Sequence, residues 1–220
     1  MIYTVISNLT EKDCRTSRQP SIYIPSEVEN YILETKNEKT RAERRIAYTV
    51  LSLSLEKFFG ISSWNIQKNA YGKPFLITNS ENTDIFISLS HSDGVAAVAL
   101  SDEGEIGVDL QCEISPERKE RMSARFLIET EIKETDLNVK YFLIDPSLEF
   151  TEIFLGEIEE KDDFIHKWSA SEAIMKCHGS GFEVLPKLEE IKENIDLKTK
   201  SISDSGRNFS LSIAIKRAIM

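Results

Sequence analysis

The chain has 220 residues, 40% of them hydrophobic, and a formal net charge of -10 at pH 7. This length and hydrophobic content exclude a fully disordered or fibrous protein, because they allow one sizeable buried core or two small ones. The negative charge argues against general attraction to nucleic acid or to an anionic membrane, so neither is an expected partner.

The sequence carries no signal for a membrane or a secretory route. It contains no run of about eighteen apolar residues, the length that a spanning helix needs. The first residues, MIYTVISNLTEKDCR, predict a strand and a polar turn rather than a signal peptide. Cys14, Cys112 and Cys177 are odd in number and widely spaced, which is typical of reduced thiols. We therefore expect a cytoplasmic protein.

The hydrophobic pattern predicts a mixed α and β chain, in which helices and then strands follow one another twice. The first part starts with a strand at 2–8 and a helix at 39–59, which begins within a basic cluster and ends at Gly60. Strands at 86–89, 95–100 and 105–111 are expected to form one small antiparallel sheet. Helices at 118–126 and 163–177 and a strand at 208–215 follow. We expect the acidic segment at about 128–162 to be an extended loop or hairpin.

Residues 106–111, IGVDLQ, form the first candidate site. In a strand, alternate side chains share a face, so Asp109 and Gln111 would point the same way. Their oxygens suit Mg²⁺, which commonly takes one or two protein carboxylates together with water and phosphate oxygens. The alternative interpretation is an ordinary aspartate near the end of a strand.

Two further segments concentrate polar groups. Trp168, Glu172 and Lys176 follow at helical i, i+4 spacing and would line one face, although a core tryptophan beside an exposed ion pair has the same pattern. The segment from Ser88 to Ser92 places hydroxyls around His91, and these groups can hydrogen-bond phosphate. An ordinary turn is the alternative there.

Taken in order, these segments resemble the 4′-phosphopantetheinyl transferases of the surfactin-synthetase-activating (Sfp) type. The resemblance extends from about residue 2 to 215. Its landmarks are Arg44-Arg45, the YGKP turn at 71–74, LSHS at 89–92, GVD at 107–109, Arg125-Phe126, and WSASEA at 168–173 followed by Lys176 and GSG at 179–181.

The resemblance implies an α+β fold of two similar α/β subdomains, at 1–107 and 108–220, related by a pseudo-twofold axis. Coenzyme A, the co-substrate, and Mg²⁺ would bind in the cleft between them. The implied activity is that of a holo-[acyl-carrier-protein] synthase. It would move the 4′-phosphopantetheine arm to a serine of an apo acyl or peptidyl carrier protein and release adenosine 3′,5′-bisphosphate. A monomer would be sufficient.

Site roles follow from the same resemblance. Asp109 and Glu172 would bind the metal, with Gln111 as a neutral third oxygen donor, and Glu172 would also help to remove the serine proton. Lys176 would hold the diphosphate of coenzyme A. The other predicted coenzyme contacts are Lys73, Ser90 and His91 at the phosphates, and Arg44 or Arg45 at the adenosine end.

The chain departs from the family pattern at two positions. Ser171 replaces a lysine that usually precedes the helix glutamate, and Gln111 replaces an acid found in many members. Both features favour an alternative function, a non-catalytic protein that binds coenzyme A or a carrier protein. A magnesium-dependent hydrolase of nucleotide-like substrates is a third possibility. For carrier docking we expect a basic surface with Arg118, Lys119, Arg121 and Arg125.

Overall fold

The computed structural model describes residues 1–15, 22–79, 81–123, 135–156, 164–179, 191 and 194–217. The helices are α1 Ser26–Leu33, α2 Glu38–Phe59, α3 Pro116–Ser123 and α4 Phe164–His178. The strands are β1 Ile2–Ser7, β2 Asn65–Lys68, β3 Pro74–Thr78, β4 Glu81–Asn82, β5 Phe86–Ser92, β6 Val95–Ser101, β7 Gly104–Cys112, β8 Val139–Ile144, β9 Phe150–Ile153, β10 Asp196–Asp204 and β11 Arg207–Arg217. The predicted α+β class is confirmed.

Two sheets and two helices form four layers. The larger sheet has the order β5-β6-β1-β8-β9, and the second has the order β10-β11-β7. One apolar cluster packs α2 against the larger sheet and includes Val5 and Leu51. A second joins the two sheets through residues such as Ile6 and Val108. The third places Ala173 and its neighbours in α4 against β10 and β11.

The chain order repeats between the two halves. In the first, β1, α2, β5 and β6 give the sheet order β5-β6-β1, and in the second, β7, α4, β10 and β11 give the order β10-β11-β7. Pairing of β6 with both neighbours is antiparallel, as is that of β11. The predicted boundary at 107/108 falls inside β7, a strand of the second sheet. The exact division into two subdomains stays a prediction. The second copy of the repeated order of elements begins with β7, at Gly104.

The strand β7 does not join β5 and β6 in one sheet, so that prediction was wrong. It pairs with β11, while hydroxyls on β5 accept hydrogen bonds from its other edge. Alternate serines face that edge and satisfy amides that a strand ladder would otherwise use. The pairs are Ser88 Oγ with Val108 N at 3.0 Å, Ser90 Oγ with Leu110 N at 3.1 Å, and Ser92 Oγ with Cys112 N at 3.0 Å.

The long helix α2 has the bounds that the sequence indicated. Asn37 caps its start, since Oδ1 accepts a hydrogen bond from Thr40 N at 2.9 Å. Gly60 ends it in the left-handed conformation, with φ of 68°. The predicted terminus at Gly60 is therefore confirmed.

Within the acidic segment, β8 and β9 form the hairpin that was one of two expected forms. It extends the larger sheet through parallel pairing of β8 with β1. The sequence pattern did not predict α1, the small β2-β3-β4 sheet or β10. Among the described residues, no helix is both long and apolar enough to cross a membrane.

Candidate active site

A cavity of about 350 Å³ lies where the two halves meet. Its walls come from α2 and β5 of the first half, α4 of the second, and the turn before β3. In the described part of the chain, four cationic side chains line it against one carboxylate, Glu172. The cations are Arg44, Lys68, Lys73 and Lys176. This charge balance suits a ligand with several negative groups.

Asp109 lies buried beside the inner end of this cavity, and it is held from two sides. Its Oδ1 accepts hydrogen bonds from Ser90 Oγ at 2.9 Å and from Lys176 Nζ at 2.7 Å. Its Oδ2 is also buried and has no hydrogen-bond partner among the described residues. One carboxylate oxygen is thus left for a further ligand.

Glu172 lies one helical turn before Lys176 and lines the cavity. The pKa of Glu172 is raised to about 7, mainly by burial and in part by the nearby charge of Asp109, while Lys176 opposes the shift. Two carboxylates and one ammonium are therefore close enough for their charges to act on one another. Gln111 follows on the same side of β7, and its Nε2 donates a hydrogen bond to Cys112 O at 3.2 Å.

Close packing of α4 on β7 produces this meeting. A Cβ on Gly107 would lie 2.0 Å from Ala173 O and 2.4 Å from Cys177 N, so only glycine allows the helix backbone so near the strand. Lys176, on the cavity side of α4, then reaches Asp109 two residues along β7. The GVD motif thus supplies both the carboxylate and the space for the helix.

His91 lines the same cavity and is tied to a buried acid of α2. Its Nδ1 lies 3.0 Å from Glu43 Oε2, and Glu43 Oε1 accepts a hydrogen bond from Gly94 N at 2.9 Å. Burial lowers the pKa of His91, more than the carboxylate of Glu43 raises it. Nothing in the sequence pattern singled out Glu43.

Lys73 lines the cavity, and its ammonium also holds the two halves together. It pairs with Glu105 of β7 and donates to Cys177 O at 2.8 Å. Asn69 Nδ2 donates to Gly179 O at 2.9 Å. Both donors satisfy carbonyls at the end of α4, which lack partners within the helix. The predicted phosphate contact of Lys73 stays a prediction beside this observed role.

A cation and aromatic cluster forms the outer wall of the cavity. Arg44 lies 4.5 Å and Lys68 3.9 Å from the centre of the Tyr31 ring, and Arg44 also donates to Thr35 Oγ1 at 2.7 Å. Sequence reasoning named Arg44 but missed Tyr31 and Lys68. Predicting them would have required knowing that α1 packs beside α2 and that β2 packs beside α1.

Other predicted residues lie elsewhere. Arg45 does not line the cavity, because its guanidinium is bound by Glu29, with Nη1 2.9 Å from Oε2. Ser171 is buried and donates to Lys167 O at 2.7 Å, so the position with the missing lysine does not line the cavity either. Arg118 and Lys119 are exposed on α3. Arg125, Phe126 and the side chain of Arg121 lie outside the described residues.

Comparison with known proteins adds one finding. No family model matches the chain. A Synechocystis sp. protein named "Putative 4′-phosphopantetheinyl transferase" is 31% identical over an alignment of 140 residues that covers 61% of this chain. The chain spans about half the length of that relative, 47%. The chain is thus similar to a protein with that name, in agreement with the resemblance that its motifs carry, while the surfactin-synthetase-activating type stays a prediction.

Proposed function

We propose that the protein transfers the 4′-phosphopantetheine arm of coenzyme A to a serine of an apo acyl or peptidyl carrier protein, with release of adenosine 3′,5′-bisphosphate. One observation carries the proposal: Asp109, Glu172 and Lys176 converge beside a cavity that three further cationic side chains line. Such a site suits a diphosphate ester, whose negative oxygens must be neutralised before an alcohol can attack phosphorus.

The residues present fit a magnesium ion. In the described ranges no three His, Cys, Asp or Glu side chains gather into a metal cluster. Magnesium needs fewer, because one or two carboxylates plus water and phosphate oxygens complete its coordination. The unpartnered Oδ2 of Asp109 and the partly buried carboxylate of Glu172 are the expected ligands, with Gln111 as a further oxygen donor. The ion would supply positive charge at the diphosphate.

The chain's own groups would bind and orient the substrate. Lys176, fixed by Asp109, would contact the diphosphate, and Lys73 and His91 would contact phosphate oxygens from the cavity wall. Glu172 has a pKa about 7 and could accept the serine proton. A bound cation would lower that pKa, which weakens the base, so charge neutralisation and alignment of the hydroxyl are the larger contributions.

Intact-mass analysis tests the activity directly. An apo carrier protein incubated with this protein, coenzyme A and Mg²⁺ is expected to gain the mass of one phosphopantetheine group, and a chelator should prevent the gain. Coenzyme A binding without any transfer to several carriers would instead support the non-catalytic alternative. Release of the bisphosphate without a carrier would support a hydrolase.

Magnesium affinity is expected to depend on pH. The pKa of Glu172 is raised to about 7. Below that pH protons compete with Mg²⁺ for the carboxylate of Glu172, and above it the carboxylate is ionised. Affinity should fall from pH 8 to pH 6, by roughly tenfold per unit at the acidic end. Calorimetric titration of Mg²⁺ into the protein saturated with coenzyme A measures this. Equal affinity at pH 6 and pH 8 would contradict the assignment of Glu172.

Removing Lys68, a cation in the outer wall of the cavity, should weaken the binding of coenzyme A without slowing transfer. Lys68→Ala is expected to raise the KM for coenzyme A about fivefold and to leave kcat unchanged, because a contact far from the reacting phosphorus contributes uniform binding. Lys57→Ala, an exposed lysine of α2 that does not line the cavity, is the matched control. An unchanged KM for Lys68→Ala would exclude Lys68 from the site.

A further inference from the structure

Glu43 is a buried acid whose two carboxylate oxygens have partners at the end of β5 and in the β5-β6 turn. Only 7% of the residue is exposed. Its Oε2 lies 3.0 Å from His91 Nδ1 and its Oε1 accepts from Gly94 N at 2.9 Å. An ionised carboxylate only accepts hydrogen bonds, so Nδ1 of His91 must carry a hydrogen. Nε2 is then the ring nitrogen left for the cavity that His91 lines.

The protonation of Nε2 decides what His91 can bind. With Nδ1 protonated, a neutral ring presents a lone pair at Nε2, which repels a phosphate oxygen, whereas an imidazolium donates a charge-assisted hydrogen bond. Glu43 and Arg44 of α2 and Lys176 of α4 act on the ring electrostatically. Glu172, Lys68 and Lys73 line the same cavity. Burial and the cations favour the neutral ring, and a bound phosphate would reverse that balance.

We propose that Glu43 is a positioning residue that fixes His91 so that the imidazole takes up a proton when a phosphate group of coenzyme A enters the cavity. The proposal rests on the proposed function, because it takes coenzyme A as the ligand. It adds a residue that the family motifs do not include. It also adds proton uptake, in which one proton from solvent binds His91 Nε2 and no covalent bond changes. The carboxylate of Glu43 stabilises the resulting imidazolium.

Coenzyme A binding should therefore tighten as the pH falls, opposite to the magnesium effect described above. The test uses Glu172→Gln as the parent with a chelator present, so that neither Glu172 nor a metal titrates. Calorimetry in two buffers of different ionisation enthalpy counts the protons taken up when coenzyme A binds at pH 7. His91→Gln in the same parent shows how many of those protons belong to His91.

Glu43→Gln keeps an oxygen for Gly94 N but removes the charge beside the ring. We expect about tenfold weaker binding at pH 7, a loss of most of the His91-dependent proton uptake, and smaller differences at pH 6. Glu38→Gln, an exposed acid in the first turn of α2, should change neither quantity.

Two results would overturn the inference. One is a Glu43→Gln protein that binds coenzyme A with the parent's affinity and proton uptake. The other is equal proton uptake by the parent and His91→Gln, which needs no Glu43 variant and so stands even where that variant fails to fold. Failure of the unmutated protein to bind coenzyme A at all would overturn the proposed function as well.

Discussion

Glu172→Gln is expected to reduce carrier modification by about 10³-fold or more while the protein stays folded. The substitution keeps the size and shape of the side chain but prevents it from ionising. Glutamine cannot accept the serine proton, and as a magnesium ligand it brings no charge to a site that must neutralise a diphosphate. The loss should appear in kcat and remain at saturating coenzyme A.

The same substitution should raise the free energy of unfolding at high pH, although it lowers activity. The pKa of Glu172 is raised from 4.5 to about 7 in the folded chain, so the unligated protein loses stability as the pH rises through that interval. Glutamine carries no charge and removes this loss. We expect Glu172→Gln to be about 2 kcal/mol more stable than the parent at pH 8, after a discount for partial exposure, and equally stable at pH 4.5.

Opposite signs for activity and stability separate this result from simple unfolding. Urea denaturation at pH 8 without metal gives the stability difference, and intact-mass kinetics on an apo carrier give the rate. Glu56→Gln, an exposed acid on α2, is the matched control and should change neither quantity. A Glu172→Gln protein with near-normal transfer would remove Glu172 from the site.

The candidate site could be predicted from the sequence to the extent that short motifs carry it. Asp109, Glu172 and Lys176 come from a strand and a helix about sixty residues apart in the chain, and their ordered motifs indicated that they would meet. The local pattern of each segment, taken alone, favoured an ordinary structural role over a catalytic or binding role. Only their joint order resolved that ambiguity.

The residues that the sequence did not reveal depend on tertiary packing. Tyr31 and Lys68 reach the cavity because α1 lies beside α2 and β2 lies beside α1, a placement that no local pattern encodes. In the sequence, Glu43 looks like an ordinary charged residue near the basic start of α2. In the structure it is buried, and Gly94 in the β5-β6 turn donates a hydrogen bond to it. Helix spacing places it on a face but cannot say which strand covers that face.

The assignment of β7 to the wrong sheet has a similar cause. Neighbouring strands usually pair, and 86–111 has the turns of a meander. Serine hydroxyls at 88, 90 and 92 replace the expected ladder, which frees β7 to pair with a strand about a hundred residues later. Serines at alternate positions were visible in the sequence. Their use as acceptors for the amides of another strand was not.

Gly107→Ala should disrupt both folding and transfer, because α4 leaves no room for a side chain at this point of β7. The added Cβ would lie 2.0 Å from Ala173 O and 2.4 Å from Cys177 N, both of them backbone atoms that cannot rotate away. The helix must move outward, which weakens its packing on β7 and β11. We expect a loss of about 3 kcal/mol of unfolding free energy.

The same displacement would separate Lys176 from Asp109, now 2.7 Å apart. A shift of about 1 Å in a positioning group can cost roughly 10²-fold in rate, so the folded fraction of Gly107→Ala should still transfer about 10²-fold more slowly. Urea denaturation and transfer kinetics corrected for the folded fraction measure the two effects. Gly156→Ala is the matched control, since its Cβ would meet nothing within 4 Å. Normal stability of Gly107→Ala would show that α4 does not approach β7 so closely, and the proposed meeting of Lys176 with Asp109 would lose its structural basis.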